Sequence, residues 1–290
     1  MATDFDLSLE YGVAAQISPR IQRVMAPNPG PFTFHGTGVY IVGAGKSVAV
    51  IDPGPDLPDH IEALKRALDG RKVSHILVTH THNDHSPAAR PLAQWSGAPT
   101  YGFGAHTETN DVEEGGDRLF VPDVRVTDGS WILSEDFTIK ALHTPGHTAN
   151  HVCYALEEEK ALFTGDHVMG WSTSVIAPPD GNMGDYLRSL EKLIARDDAI
   201  LYPTHGAPIP DPEHLLHAYL IHRRMREAQI AGCLTRGTDT IAAIVAKLYA
   251  GLQPVLVRAA QLTVQAHLEH MIEEAKAARD GERYRLIASP

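Results

Sequence analysis

The sequence predicts an α/β fold joined to a small, mostly helical appendage. Three observations carry this. Short β-rich runs alternate with amphipathic stretches through residues 1–210; Pro208, Pro210 and Pro212 break that pattern; and residues 211–290 read almost entirely as helix. The chain has 290 residues, 43% hydrophobic and 21% charged, enough for a substantial core and a second small domain; the expected division is 1–210 and 211–290. No apolar run approaches the ~18 residues a membrane span needs. Residues 1–12, MATDFDLSLEYG, carry no Lys or Arg and no apolar stretch, which does not fit a secretory leader, so the cytoplasm is the expected compartment. Cys153 and Cys233 lie far apart, with no thiolate-rich zinc pattern around them.

Taken in order, residues 39–42 and 48–51 are β-rich and separated by Gly43-Ala44-Gly45, which predicts a hairpin. The same glycines do not make a phosphate-binding loop, because Tyr40 stands where that motif needs its first Gly. Residues 59–68 carry Ile61, Leu64 and Leu68 at helical spacing. Residues 76–78 form a buried-type strand, and a helix bearing Leu92 and Trp95 follows. Further strands are expected at 124–126, 131–133, 138–142, 152–156, 161–163 and 200–202, with a helix over 186–194. The tail predicts helices at 213–233, 240–248 and 254–278, then a short strand at 284–287. Three helices and a strand suggest a winged-helix-like domain.

The net charge is -11, and it is uneven: residues 211–290 hold ten Lys+Arg against nine Asp+Glu, or +1, so residues 1–210 carry -12. An acidic main domain argues against a broad grip on nucleic acid, which wants a basic face. The 17 histidines stand out. Three of them fall in His80-Thr81-His82-Asn83-Asp84-His85, directly after an apolar strand. A strand end is rigid and its following loop can fold back, so several ligands can be aimed at one point. The same arrangement recurs. His147 follows strand 138–142 in Thr144-Pro145-Gly146-His147. Asp166 follows 161–163 in Thr164-Gly165-Asp166, and His205 follows 200–202 in Pro203-Thr204-His205-Gly206. Glycine beside a ligand lets the backbone come close.

These residues resemble the metallo-β-lactamase fold hydrolases, whose signature is H-x-H-x-D-H with a distal His, Asp and His. The likeness covers roughly residues 20–210, and TPGHTANHV, LFTGDHVMG, PTHG and NPGPFTFHGTGVYIVG are similar to the lactamase-β-like branch, which also carries a C-terminal winged helix. The resemblance implies an αβ/βα sandwich of two mixed sheets with metals at one edge. It implies one ion on His80, His82 and His147, a second on Asp84, His85 and His205, and Asp166 bridging them. The ions would be zinc, with manganese or iron as alternatives. A shared hydroxide would attack a carbonyl or a phosphorus, with Asp84 holding it in line as the catalytic residue.

Other positions carry two readings each. Asp52, in Ile51-Asp52-Pro53-Gly54, either starts a turn or supports the ligand loop. His151 either reaches substrate or a carboxylate behind the ligands, or makes a structural hydrogen bond. Asn28 and Thr173 are expected to border the cleft, and His143 and His167 to brace turns. His35, His60, His75, His106, His214, His217, His222, His267 and His270 are expected to be ordinary polar or helix-surface residues. His222-Arg223-Arg224-Met225-Arg226 is a basic cluster on a predicted helix, read as a solvated face or domain-interface salt bridges, or as an RNA contact. Three functions stay open: a hydrolase of small-molecule esters, thioesters or lactones; a single-strand endoribonuclease; and a winged-helix nucleic-acid-binding regulator. Small-molecule substrate is favoured as the partner, RNA and a homodimer remain open, and no membrane contact is expected.

Overall fold

A computed structural model describes residues 10–105 and 116–287. His106 and most of the stretch read for a leader lie outside the described residues. The chain divides into two compact units, Met1–Thr144 with Asn150–Ser172 and Asp197–Pro212, and Pro145–Ala149 with Thr173–Arg196 and Glu213–Pro290. The helical unit therefore takes in two stretches from within the first 210 residues.

The first unit holds two sheets. One contains β1 (Ala14–Gln16), β2 (Ile21–Met25), β3 (Gly38–Val42), β4 (Ser47–Ile51), β5 (Lys72–Leu77), β6 (Thr100–Gly102) and β7 (Val124–Arg125), in that order. The other runs β12 (Ile200–Pro203), β11 (Ala161–Gly165), β10 (Val152–Leu156), β9 (Thr138–His143), β8 (Trp131–Leu133). Both are mixed: β4 and β5 pair in parallel, as do β11 and β12, among antiparallel neighbours.

Side chains alternate along each strand, so one face of the first sheet presents Tyr40, Val42, Ala49 and Ile51 to Ile139, Ala141, Tyr154 and Phe163 of the second. The opposite face sends Val39, Ile41, Val48 and Val50 against Leu64 of helix α1 (Pro58–Ala67), Leu68 just beyond it, and Leu92 of α2 (Ala89–Ser96). Burial on both faces is why these strands read as continuous apolar runs. The hairpin at Gly43-Ala44-Gly45 forms as expected, with Gly43 at φ 139°. Because β4, β5, β11 and β12 run in parallel pairs, their C-terminal ends bring the following loops to common edges.

The second unit contains α3 (Met183–Ile194), α4 (Pro212–Thr235), α5 (Ile241–Leu248), α6 (Val257–Glu273) and the hairpin β13 (Ala277–Asp280) with β14 (Arg283–Leu286). Its core joins Ile230 and Cys233 of α4, Ile244 of α5, Val264 and Leu268 of α6, and Tyr284 of β14. This is the helical, winged-helix part of the fold. The helix expected to reach residue 278 stops at Glu273. Ala275 adopts a left-handed φ of 56°, and the chain then pairs as a strand. Among the described residues, no helix is long and apolar enough to cross a membrane.

Candidate metal centre

The loop after β5 places His80, His82, Asp84 and His85 in one tight turn, closed by backbone bonds from the His85 and Ser86 N–H groups to the His82 carbonyl. Asp166 arrives from the end of β11 and His205 from the end of β12. In the first unit these six converge. His205 Nε2 lies 3.0 Å from Asp84 Oδ2 and 3.5 Å from Asp166 Oδ1; His85 Nε2 lies 3.6 and 3.4 Å from the same two atoms. Two sets, His80–His85–Asp166 and Asp84–His85–His205, each offer ligand atoms within 4.8 Å of one another. Asp166 thus reaches towards His80 on one side and His205 on the other.

The hydrogen bonds settle which ring nitrogen faces the centre. The Thr79 hydroxyl gives its one proton to Asp52 (2.8 Å), so at 3.0 Å it accepts from His80 Nδ1. His85 Nδ1 donates to Asp52 (2.9 Å), and His205 Nδ1 to the Gly36 carbonyl (3.1 Å). In the second unit, His147 Nδ1 donates to the Val175 carbonyl (2.7 Å). In all four rings Nδ1 is thus the engaged nitrogen, which leaves Nε2 as the one that can give its lone pair to a metal. His80 Nε2 then meets His82 Nδ1 at 2.9 Å, a pair of nitrogens that a proton or a cation reconciles.

His85 Nε2 and His205 Nε2 are buried and form no hydrogen bond of good geometry. A buried polar atom without a partner is costly. The donor set of imidazoles and carboxylates fits a pair of divalent cations. Without cations, burial would lower the pKa of His85, but the carboxylates of Asp84, Asp166 and Asp52 outweigh it and raise it well above the usual range. His205 is likewise raised against its burial, by Asp166 and Asp84. For Asp84, burial pushes up, and the His85 and His205 rings more than reverse it, so the carboxyl sits far below its usual range.

Asp52 is wholly buried and is the hub of this region. It accepts from the Thr79 N–H (2.7 Å), the Thr79 and Thr204 hydroxyls and His85 Nδ1, and so ties β4, the HTHNDH loop and the His205 loop together. His151 is also fully buried. It shares a hydrogen bond with Thr144 Oγ1 and accepts from the Asp166 N–H at 3.3 Å, which steadies the Asp166 turn. Asn28 holds Thr37, whose hydroxyl donates to the Asp84 carbonyl. Thr173 is partly buried in the second unit. His143 stacks on Phe103, and the buried His167 donates its N–H to the Thr164 carbonyl.

A family model described as "Metallo-beta-lactamase superfamily" matches residues 33–205, and one described as "Beta-lactamase associated winged helix domain" matches 240–285. The chain belongs to the metallo-beta-lactamase superfamily. It is 30% identical to "Lactamase-like protein adaB" of Aspergillus niger, over 92% of this chain and 84% of that one. It is 34% identical to "Atrochrysone carboxyl ACP thioesterase" of Claviceps purpurea, over 76% of this chain and 67% of the relative. Among solved structures, a beta-lactamase domain protein from Burkholderia ambifaria shares the fold with a TM-score of 0.81 at 18% identity, covering 95% of this chain and 94% of that one.

Some supports of this metallo-beta-lactamase centre escaped the sequence reading. Arg23, buried in β2, donates to the Thr204 and Gly206 carbonyls on either side of His205. A Cβ at Gly38 would fall 2.2 Å from the Arg23 guanidinium, so glycine there makes room for it. Nothing in Ile-Gln-Arg-Val-Met signals this; only the strand pairing reveals it. Two expectations are corrected. His60 and His267 are not surface residues but fully buried, the first held by the Pro53 carbonyl. The basic cluster is only in part a solvated face: Arg223 is buried, the exposed Arg224 forms a salt bridge with Glu191, and Arg226 lies over the Tyr249 ring.

Proposed function

We propose that the chain is a dinuclear metal hydrolase of small-molecule thioesters or related esters and lactones. His80, His82 and His147 would hold one ion, Asp84, His85 and His205 the other, and Asp166 both. The observation that carries this reading is the pair of buried, hydrogen-bond-poor nitrogens, His85 Nε2 and His205 Nε2, aimed at the Asp84 and Asp166 carboxylates. Zinc suits the thiolate-free donor set, as do manganese and iron. When bound, such cations supply Lewis acidity and bring the pKa of water down to ~7.

The protein's own groups do the rest. Asp84 has the more accessible of the two carboxylates facing the histidines, at 22% side-chain exposure against 11% for Asp166. As a carboxylate it is a hydrogen-bond acceptor at neutral pH, so it would orient the attacking water. Phe34 and Trp171 stack 4.9 Å apart beside the His205 loop; Trp171 packs on Gly206, and both rings stay more than a third exposed. An exposed aromatic pair suits an apolar acyl group. The thioesterase name of the Claviceps purpurea relative supports the same choice.

Neither nucleic-acid reading gains support. The cations of the basic cluster are engaged, and α6, the helix a winged-helix reader would insert, buries most of its side chains, with Arg258 and Glu273 its only exposed residues. The test is a panel of acyl thioesters, esters and lactones beside a labelled single-stranded RNA, each with and without chelator. Thioester cleavage lost on chelation, restored by metal, and reduced at least ~100-fold in Asp84→Asn is expected. Cleavage indifferent to chelator, or of RNA alone, would overturn the proposal.

A further inference from the structure

We infer that Arg223 of α4 is a positioning residue for His147, which links the helical appendage to the metal chemistry. The inference rests on the metal-hydrolase reading above, and every contact it uses lies within the second unit.

Arg223 is 2% exposed. Among the described residues its guanidinium has no carboxylate within ion-pair distance; its partners are the Ser174 carbonyl and the face of Tyr186, 5.0 Å from the ring centroid. Burying a cation against a carbonyl and a ring, with no counter-charge, is costly. Both partners lead to His147. The carbonyl of Val175, next to Ser174, accepts the His147 Nδ1–H and so fixes its tautomer and ring direction. Tyr186 backs the Gly146 turn so closely that a Cβ at Gly146 would fall 2.3 Å from the Tyr186 Cα. The Asn182 N–H bonds the Gly146 carbonyl, and the Ser189 hydroxyl bonds the Pro145 carbonyl, so the whole His147 loop is seated on α3. Arg223 thus braces the two surfaces that aim this ring: the strand of chain that accepts its proton, and the helix beneath its turn.

A bulky residue in the core would also brace the loop, so the test must separate position from packing. Wild type, Arg223→Met, Arg223→Lys and the exposed Arg224→Met are loaded with Co2+ and challenged with graded chelator. Retained metal and the cobalt absorption spectrum are read, and the same variants are repeated in a His147→Gln background. The inference predicts that Arg223→Met releases one of two equivalents at roughly 10- to 100-fold less chelator, with a changed spectrum. Arg223→Lys, which keeps a donor for Ser174, should be closer to wild type, and Arg224→Met unchanged. In the His147→Gln background Arg223→Met should add nothing, because both changes remove the same ligand. Equal metal retention by wild type and Arg223→Met, or an undiminished effect without His147, would overturn the inference alone. Failure of wild type to bind Co2+ would instead overturn the metal reading on which it stands.

Discussion

Asp52 shows how one side chain can hold a centre it does not enter. It receives four hydrogen bonds from two segments, the stretch after β5 and the His205 loop, and adopts a left-handed φ of 48°, a conformation tolerated by Asp far better than by a branched residue. Asp52→Asn keeps the shape but turns an acceptor into a donor facing Thr79, Thr204 and His85. Each buried group left unpaired costs about 1–3 kcal/mol, so the variant should unfold at least ~2 kcal/mol more easily in denaturant titration and bind metal less tightly. Unchanged stability would show that the hub is not needed. At this scale the sequence was legible where chemistry is local. His80, His82, Asp84 and His85 stand within six residues, and the candidate ligands at 147, 166 and 205 each follow a strand and accompany a glycine. It was not legible for Arg23, Thr37, Thr79 or Thr204, whose roles arise only when strands distant in sequence become neighbours.

At the scale of elements, the two β-rich runs and the Gly43-Ala44-Gly45 turn between them were enough to foresee the β3–β4 hairpin. The end of α6 was not foreseeable. Ala-Ala-Arg-Asp has no strand signature, and its β form comes from pairing with β14 across the Gly281 turn. The stop itself is a left-handed Ala275, where sequence rules look for Gly. His267 on α6 was expected among the ordinary polar or helix-surface residues, because a lone imidazole carries no burial signal in the sequence, yet it is fully buried. Burial, reinforced by the Arg223 charge, lowers its pKa to about 3. The unfolded chain takes up a proton below about pH 6.5 that the folded unit refuses, so stability rises with pH and is lost between about 6.5 and 3. By pH 5 the loss is roughly 2 kcal/mol. His267→Leu should remove this part of the acid dependence, measured as stability at pH 7 and pH 5. An acid limb identical to wild type would contradict the assignment.

Across the whole molecule, a strongly acidic main domain and a nearly neutral tail were visible in the charge count, and they pointed away from nucleic acid before any contact was known. What the count could not show is where the tail's cations go: Arg223 into the interior, Arg224 to Glu191, Arg226 to Tyr249, and Arg283 to Asp239. Nor could it show that segments 145–149 and 173–196 belong with the helical unit, because unit membership depends on contacts rather than on composition. The central claim is that imidazoles and carboxylates from separate loops together hold two cations that are needed for hydrolysis. Elemental analysis of the purified protein, alongside its thioesterase activity, tests that claim most directly. The account predicts two equivalents of divalent metal per chain, with activity falling as they are stripped and returning as they are replaced; a fully active protein free of metal would contradict it.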